Sequence, residues 1–214
     1  MKPSRLPIGV LFWLALSVAS QGSPSEELVE RLQETYSSLQ SFSADFEQIF
    51  TSPLAELRES GIVLMKKPGK MFWEYNDPTR KIFVTDGRSS YFYLPGDRQV
   101  IVGELDLESE QTPLLFLVGR GDIRRDFTVE TEVEEQALDA GNPLVKLVPK
   151  DPNPQFSYLI IEVSIPRYLV RRLIVVEPIG NRNEYILSNM EENVPIPEER
   201  FRFQVPPGVE VITQ

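Results

Sequence analysis

Neither cysteine nor histidine occurs anywhere in the 214 residues. Without cysteine there is no disulfide, no thiolate metal ligand, no thiol nucleophile and no lipid anchor through a lipobox cysteine. Without histidine the commonest general base and the commonest nitrogen ligand are gone, and ordinary Ser-His-Asp and zinc-hydrolase chemistry goes with them. Positive charge is also in short supply. Against 32 Asp and Glu stand 22 Lys and Arg, and the formal charge of −10 disfavours nucleic acid and anionic lipid surfaces as partners. Beyond residue 18 no stretch approaches the ~20 consecutive apolar residues of a spanning helix, so no stable membrane insertion is expected.

The N-terminus carries what the rest of the chain lacks. Lys2 and Arg5 precede an uncharged apolar stretch from Leu6 through Val18, and small residues follow at Ala19, Ser20 and Gly22. The stretch is too short for a comfortable span and no basic stop-transfer cluster follows it. It therefore predicts a signal peptide over residues 1–21 that is removed on export, with a single domain over 22–214. Loss of Lys2 and Arg5 would take the formal charge from −10 to about −12.

Ser23-Pro24-Ser25-Glu26 has the form of a capping box with proline at the first helical position. Leu28, Leu32, Tyr36 and Leu39 then recur at helical spacing, opposite Glu27, Glu30, Arg31 and Glu34. At Phe42 the period changes to two, with Phe42, Ala44, Phe46, Gln48 and Phe50 on one face of a strand. Further strands are predicted over 57–66, 70–76, 80–85, 90–94, 98–104, 126–134, 143–149, 156–165, 168–177, 184–190 and 200–204. Asn76-Asp77-Pro78, Asp86-Gly87, Pro95-Gly96-Asp97, Gly141-Asn142-Pro143 and Gly180-Asn181 punctuate them as turns. The simplest reading is an antiparallel meander of about a dozen strands. A second helix is expected where Thr112-Pro113 caps Leu114, Leu115, Phe116, Leu117 and Val118. Such a sheet closes into a barrel, pairs into a sandwich or covers one face with its helices, and the pattern leaves all three open.

Aromatic residues crowd the first half of the mature chain. Strict alternation puts Met71, Trp73 and Tyr75 on one face of their strand, whereas Tyr91-Phe92-Tyr93 is aromatic on both. Any one of these fits an ordinary core. Together with methionine, they also suit the lining of an adaptable apolar pocket. The acidic run Glu104, Asp106, Glu108 and Glu110, with Glu132, Glu134, Glu135, Glu191 and Glu192, lacks calcium-loop spacing and reads as a solvated face. Arg120, Arg124, Arg125, Arg167, Arg171 and Arg172 read as charge balance or as a rim for an acidic partner.

Ser41-Phe42-Ser43-Ala44-Asp45-Phe46-Glu47-Gln48, Gly61-x-x-x-x-Lys66-Lys67-Pro68, Trp73-x-Tyr75, Thr85-Asp86-Gly87, Tyr91-Phe92-Tyr93, Thr112-Pro113-Leu114 and Phe201-x-Phe203-x-x-Pro206-x-Gly208-Val209-x-Val211 follow one another along the chain. In this order they resemble the LolA family of periplasmic outer-membrane lipoprotein carriers. The resemblance implies a mainly β fold: an incomplete, strongly curved antiparallel β-barrel with a helical lid over an apolar cavity. It implies a periplasmic monomer that binds the acyl chains of lipoproteins. An inner-membrane ABC transporter would load it and an outer-membrane receptor lipoprotein would unload it. By position, Phe42, Phe46, Phe50, Met71, Trp73, Tyr75, Tyr91 and Tyr93 would line the acyl-chain cavity, and Leu114, Leu115, Phe116 and Leu117 would lie in the lid. Lys67 stands where the family carries an arginine that bonds to lid backbone, making it the candidate latch. No catalytic residue, metal or cofactor is expected. Two readings from other classes stay open: a LolA-like sensor or regulatory module of the envelope, and a hydrolase working through paired carboxylates.

Overall fold

The computed structural model describes residues 24–104 and 121–213. The predicted signal peptide at 1–21 and the lid residues Leu114 to Leu117 lie outside them. The first helix, α1, runs Pro24–Ser38 and buries Leu28, Val29, Leu32 and Tyr36. These are the positions expected of its apolar stripe, with Val29 added beside Leu28.

Six strands follow as a meander: β1 (Ser41–Thr51), β2 (Glu56–Lys66), β3 (Lys70–Asp77), β4 (Lys81–Asp86), β5 (Ser89–Leu94) and β6 (Gln99–Glu104). After a one-turn helix α2 (Ile123–Asp126) come β7 (Phe127–Glu130), β8 (Leu144–Pro149), β9 (Tyr158–Ser164), β10 (Leu169–Val176) and β11 (Arg182–Glu192). The second meander returns so that β11 pairs with β1. A last strand, β12 (Glu210–Thr213), lies parallel on β6.

The result is one open, strongly curved sheet of twelve strands, ordered β12-β6-β5-β4-β3-β2-β1-β11-β10-β9-β8-β7. Every pairing is antiparallel except β12 on β6. Irregularities between Ser43 and Asp45, Ser60 and Gly61, and Val170 and Arg172 interrupt three long ladders. A bulge bends its strand and increases the local twist, which curves a sheet of this length.

The curvature gives two faces with different covers. On the inner face α1 and α2 pack over one large cluster that joins Leu32, Tyr36, Phe46, Met65, Trp73, Ile123, Leu159 and Leu173. The helices are held to each other as well as to the sheet: Ile123 N donates to Gln33 Oε1 at 3.1 Å, and Asp122 caps α2 by accepting from Arg125 N at 3.0 Å. The Val170 N–H donates to the buried Tyr36 hydroxyl at 3.1 Å.

The outer face is covered by chain rather than helix, and here two expected strands are corrected. The span 200–204 is no strand; a 3-10 turn occupies Glu198–Phe201. The N–H groups of Arg200 and Arg202 are spent locally, on the carbonyls of Pro197 and Glu199, rather than on a neighbouring strand. Phe201 and Phe203 alternate because they fill the outer face, against Phe72, Ile82, Val84 and Tyr93. The span 126–134 keeps strand pairing only over Phe127–Glu130. Beyond it the chain leaves the sheet edge and crosses the outer face of the second meander, where Val133 packs on Ile160, Ile174 and Val176.

Glu198 ties the first of these covers to the sheet. Its carboxylate lies 2.7 Å from Lys66 Nζ and also meets Lys70 Nζ. The bond from Lys66, then that from Lys70, pulls the Glu198 pKa down to about 2 from 4.5. A depressed carboxylate stabilises the fold above its unfolded pKa and loses that contribution as the proton binds. The cover should therefore loosen as pH falls from about 4.5 to about 2. The group is exposed, so the effect is small. A pH series of urea unfolding checks this, and Glu198→Gln should flatten only that acid limb.

Candidate functional site

Each strand of the first meander delivers alternate side chains to the inner face, and the register carries that face across the sheet. Phe42, Ala44 and Phe46 stand opposite Met65, Val63 and Gly61 of β2. Those three stand in turn opposite Met71, Trp73 and Tyr75 of β3. Rings then meet in a chain: Phe46 lies 4.9 Å from both Trp73 and Tyr75, and Trp73 lies 5.9 Å from Tyr185 of β11, all edge to face. Phe42, Phe46, Met71 and Trp73 are buried. Tyr75 is partly buried against them. Phe50 is half-buried at the far end of β1, opposite Leu57 and Asn183.

Tyr91 and Tyr93, expected in this lining, point the other way. They pair with Val84 and Ile82 of β4. These in turn stand opposite Phe72 and Glu74, the outward positions of β3. Both tyrosine rings pack 5.4 Å from Phe203 on the outer face. Their neighbour Phe92 takes the inner position, opposite Phe83, which is itself opposite Trp73. A strand aromatic on both faces gives no local sign of its orientation, so the choice belongs to the register.

Farther along β1 the inner face becomes polar in an ordered way. Tyr75 Oη donates to Gln48 Oε1 at 2.9 Å, Gln48 Nε2 to Asn183 Oδ1 at 2.9 Å, and Asn183 Nδ2 to Tyr185 Oη at 3.0 Å. Beside this row Glu59 and Lys81 form an ion pair, and Lys81 Nζ sits 4.7 Å over the Tyr75 ring. Burial raises the Tyr75 hydroxyl pKa and pushes Tyr185 up to about 12. Both therefore stay protonated donors. The expected cavity lining includes none of Gln48, Asn183 and Tyr185, though alternation alone puts Gln48 on the right face of β1. Gln48 and Asn183 are 135 residues apart, and no motif joins them.

Lys67, just past β2, reaches the C-terminal end of α1. Its Nζ donates to the carbonyls of Tyr36 at 2.5 Å and Ser37 at 2.8 Å. Partial burial lowers its pKa. A cation on orphan carbonyls at a helix C-terminus is doubly favourable, through the hydrogen bonds and through the helix dipole. The single ammonium serves two acceptors with its separate N–H bonds, without needing a guanidinium fork. Lys67→Met should lower stability by about 1–2 kcal/mol in urea unfolding, with Lys67→Arg recovering most of the loss. Equal stability of the methionine variant would sink this account of α1 anchoring.

A family model described as outer membrane lipoprotein carrier protein LolA matches residues 37–204, from the end of α1 to the cover of the outer face. This chain belongs to the LolA family. Among its relatives is the outer-membrane lipoprotein carrier protein of Chromohalobacter salexigens, 31% identical over 98% of this chain and 96% of that protein. The protein of the same name from Pseudomonas putida is 27% identical over 88% of this chain and 89% of its own length. Among solved structures, an uncharacterized conserved protein from Thermus thermophilus shares the fold, with a TM-score of 0.57 at 10% identity, over 88% of this chain and 98% of that one.

Proposed function

We propose that this LolA-family chain is a periplasmic carrier, exported by a cleaved signal peptide, that shelters the acyl chains of lipoproteins on the inner face of its sheet. The observation that carries this reading is the continuous aromatic surface of Phe46, Trp73, Tyr75 and Tyr185, which among the described residues belongs to the same apolar cluster as the buried side chains of α1 and α2. Exposing acyl chain to water costs about 0.8 kcal/mol per methylene, so a chain of ~15 methylenes costs on the order of 12 kcal/mol. Free crossing of an aqueous space is negligible at that cost, and a curved apolar sheet with movable helices offsets it.

Binding, not bond chemistry, is the task. Loading falls to an inner-membrane ABC transporter and unloading to an outer-membrane receptor lipoprotein. Lys67 acts as the latch between sheet and helix α1: entering chains displace the helices, and the two Lys67 bonds favour their return.

The mature chain has one tryptophan, Trp73, because Trp13 lies in the signal sequence. A synthetic triacylated lipopeptide should change Trp73 emission saturably, and native mass spectrometry should show the complex. An emission that ignores the lipopeptide, with no complex detected, overturns the reading.

A further inference from the structure

The apolar inner face ends in a row of hydrogen-bonding groups whose donors are not all used. Tyr75, Gln48, Asn183 and Tyr185 are linked by three bonds running in one direction. Among the described residues, the Tyr185 hydroxyl accepts from Asn183 and meets no acceptor for its own proton. One N–H of Gln48 and one of Asn183 are likewise free of protein partners there. Each of these unused groups is a donor. The row is half-buried and touches the aromatic floor directly, through Tyr75 on Phe46 and Tyr185 on Trp73. The charges nearby are already spent on each other, since Glu59 and Lys81 form an ion pair beside Tyr75. The row therefore offers oriented dipoles without net charge. A group that suits it is a neutral acceptor attached to an apolar tail.

We propose that Gln48, Asn183, Tyr75 and Tyr185 form a subsite for the neutral carbonyl, ester or amide, that heads an acyl chain, which fixes how far and in which direction the chain enters. The subsite rests on the acyl-carrier reading and adds polarity to it. The tail lies along Phe46 and Trp73, and the carbonyl stops at the Tyr185 hydroxyl. An alkyl chain without a carbonyl gains the same apolar contact but leaves these donors unmatched.

The test compares two lipids that differ only in the carbonyl, monopalmitoylglycerol and hexadecylglycerol ether, titrated into the mature chain and read by calorimetry. The unaltered protein should prefer the ester by about three- to tenfold, the span of one or two net hydrogen bonds. Tyr185→Phe and Asn183→Ala should each bring the ester-to-ether affinity ratio close to one, with far-UV dichroism confirming the fold. If both lipids bind equally well to the unaltered protein, or the preference survives both substitutions, the subsite is wrong and the carrier reading stands. If neither lipid binds, the carrier reading falls and takes the subsite with it.

Discussion

Replacing Glu162 with alanine should cost roughly 3–5 kcal/mol of folding stability, the range for a buried ion pair broken from one side. Glu162 of β9 is 0% exposed and Arg172 of β10 only 5% exposed. The two stand opposite each other across the ladder. Arg172 Nε is 3.3 Å from the carboxylate but lacks hydrogen-bonding geometry, so the attraction there is Coulombic. The carboxylate instead accepts from Leu138 N at 2.8 Å, Asp139 N at 3.1 Å and Asn142 Nδ2 at 3.0 Å. Arg172 turns its other nitrogens to Gln136 O and Glu184.

This pair of charges thus helps to fasten the segment after β7, beside the ion pairs Arg182–Glu135 and Arg171–Asp139. Removing the carboxylate leaves the buried guanidinium with only the longer Glu184 contact for charge balance and frees two backbone N–H groups at once. The apolar neighbours Ile160 and Ile174 suggest the remedy. Glu162→Leu combined with Arg172→Leu should recover only part of the loss, because it removes the buried guanidinium while the Leu138 and Asp139 N–H groups still lack their acceptor. Urea unfolding of the single and double variants measures both. A single-variant loss below about 1 kcal/mol would show the network to be idle.

How much of this was legible beforehand depends on how far each decision reaches along the chain. The α1 stripe and the inward set Phe42, Phe46, Met71, Trp73 and Tyr75 follow from local period, which one segment carries by itself. The direction of Tyr91 and Tyr93 does not, because a one-residue change of register reverses a strand and both of its faces are aromatic. Phe201 and Phe203 imitate a strand by alternating, while the N–H groups of Arg200 and Arg202 close a local turn and the rings fill the outer face. The parallel seat of β12 on β6 joins residues more than a hundred apart, held by Glu210 N on Arg98 O at 2.8 Å. The polar row of Gln48 and Asn183 exists only because the second meander comes back to β1. Local sequence states what a strand can present; the long-range pairing decides to whom.

Gly61 shows the same division at a single residue, and its replacement by alanine carries the other large expected effect. In sequence it reads as a glycine inside a strand, which signals a bulge or a close approach. In the structure it is both. The ladder shifts between Ser60 and Gly61, and Gly61 stands between Phe46 on one side and Tyr75 on the other. With no side chain on the strand between them, the two rings close to 4.9 Å across it. A Cβ at this position would fall 1.8 Å from the carbonyl oxygen of Glu74 and 3.0 Å from Tyr75 Cα, which are backbone atoms that no rotamer change can move. Relief requires parting β2 from β3 at the centre of the sheet and spreading the rings that line the inner face. Gly61→Ala should therefore cost about 3 kcal/mol or more, at or beyond the usual limit of overpacking. Trp73 emission should shift to the red as its packing on Phe46 loosens. Gly96→Ala, in the β5–β6 turn with nothing within 4 Å of the added carbon, should leave stability within about 0.5 kcal/mol of the parent. Paired unfolding curves decide the matter, and equal curves for the two variants would refute a steric role for Gly61.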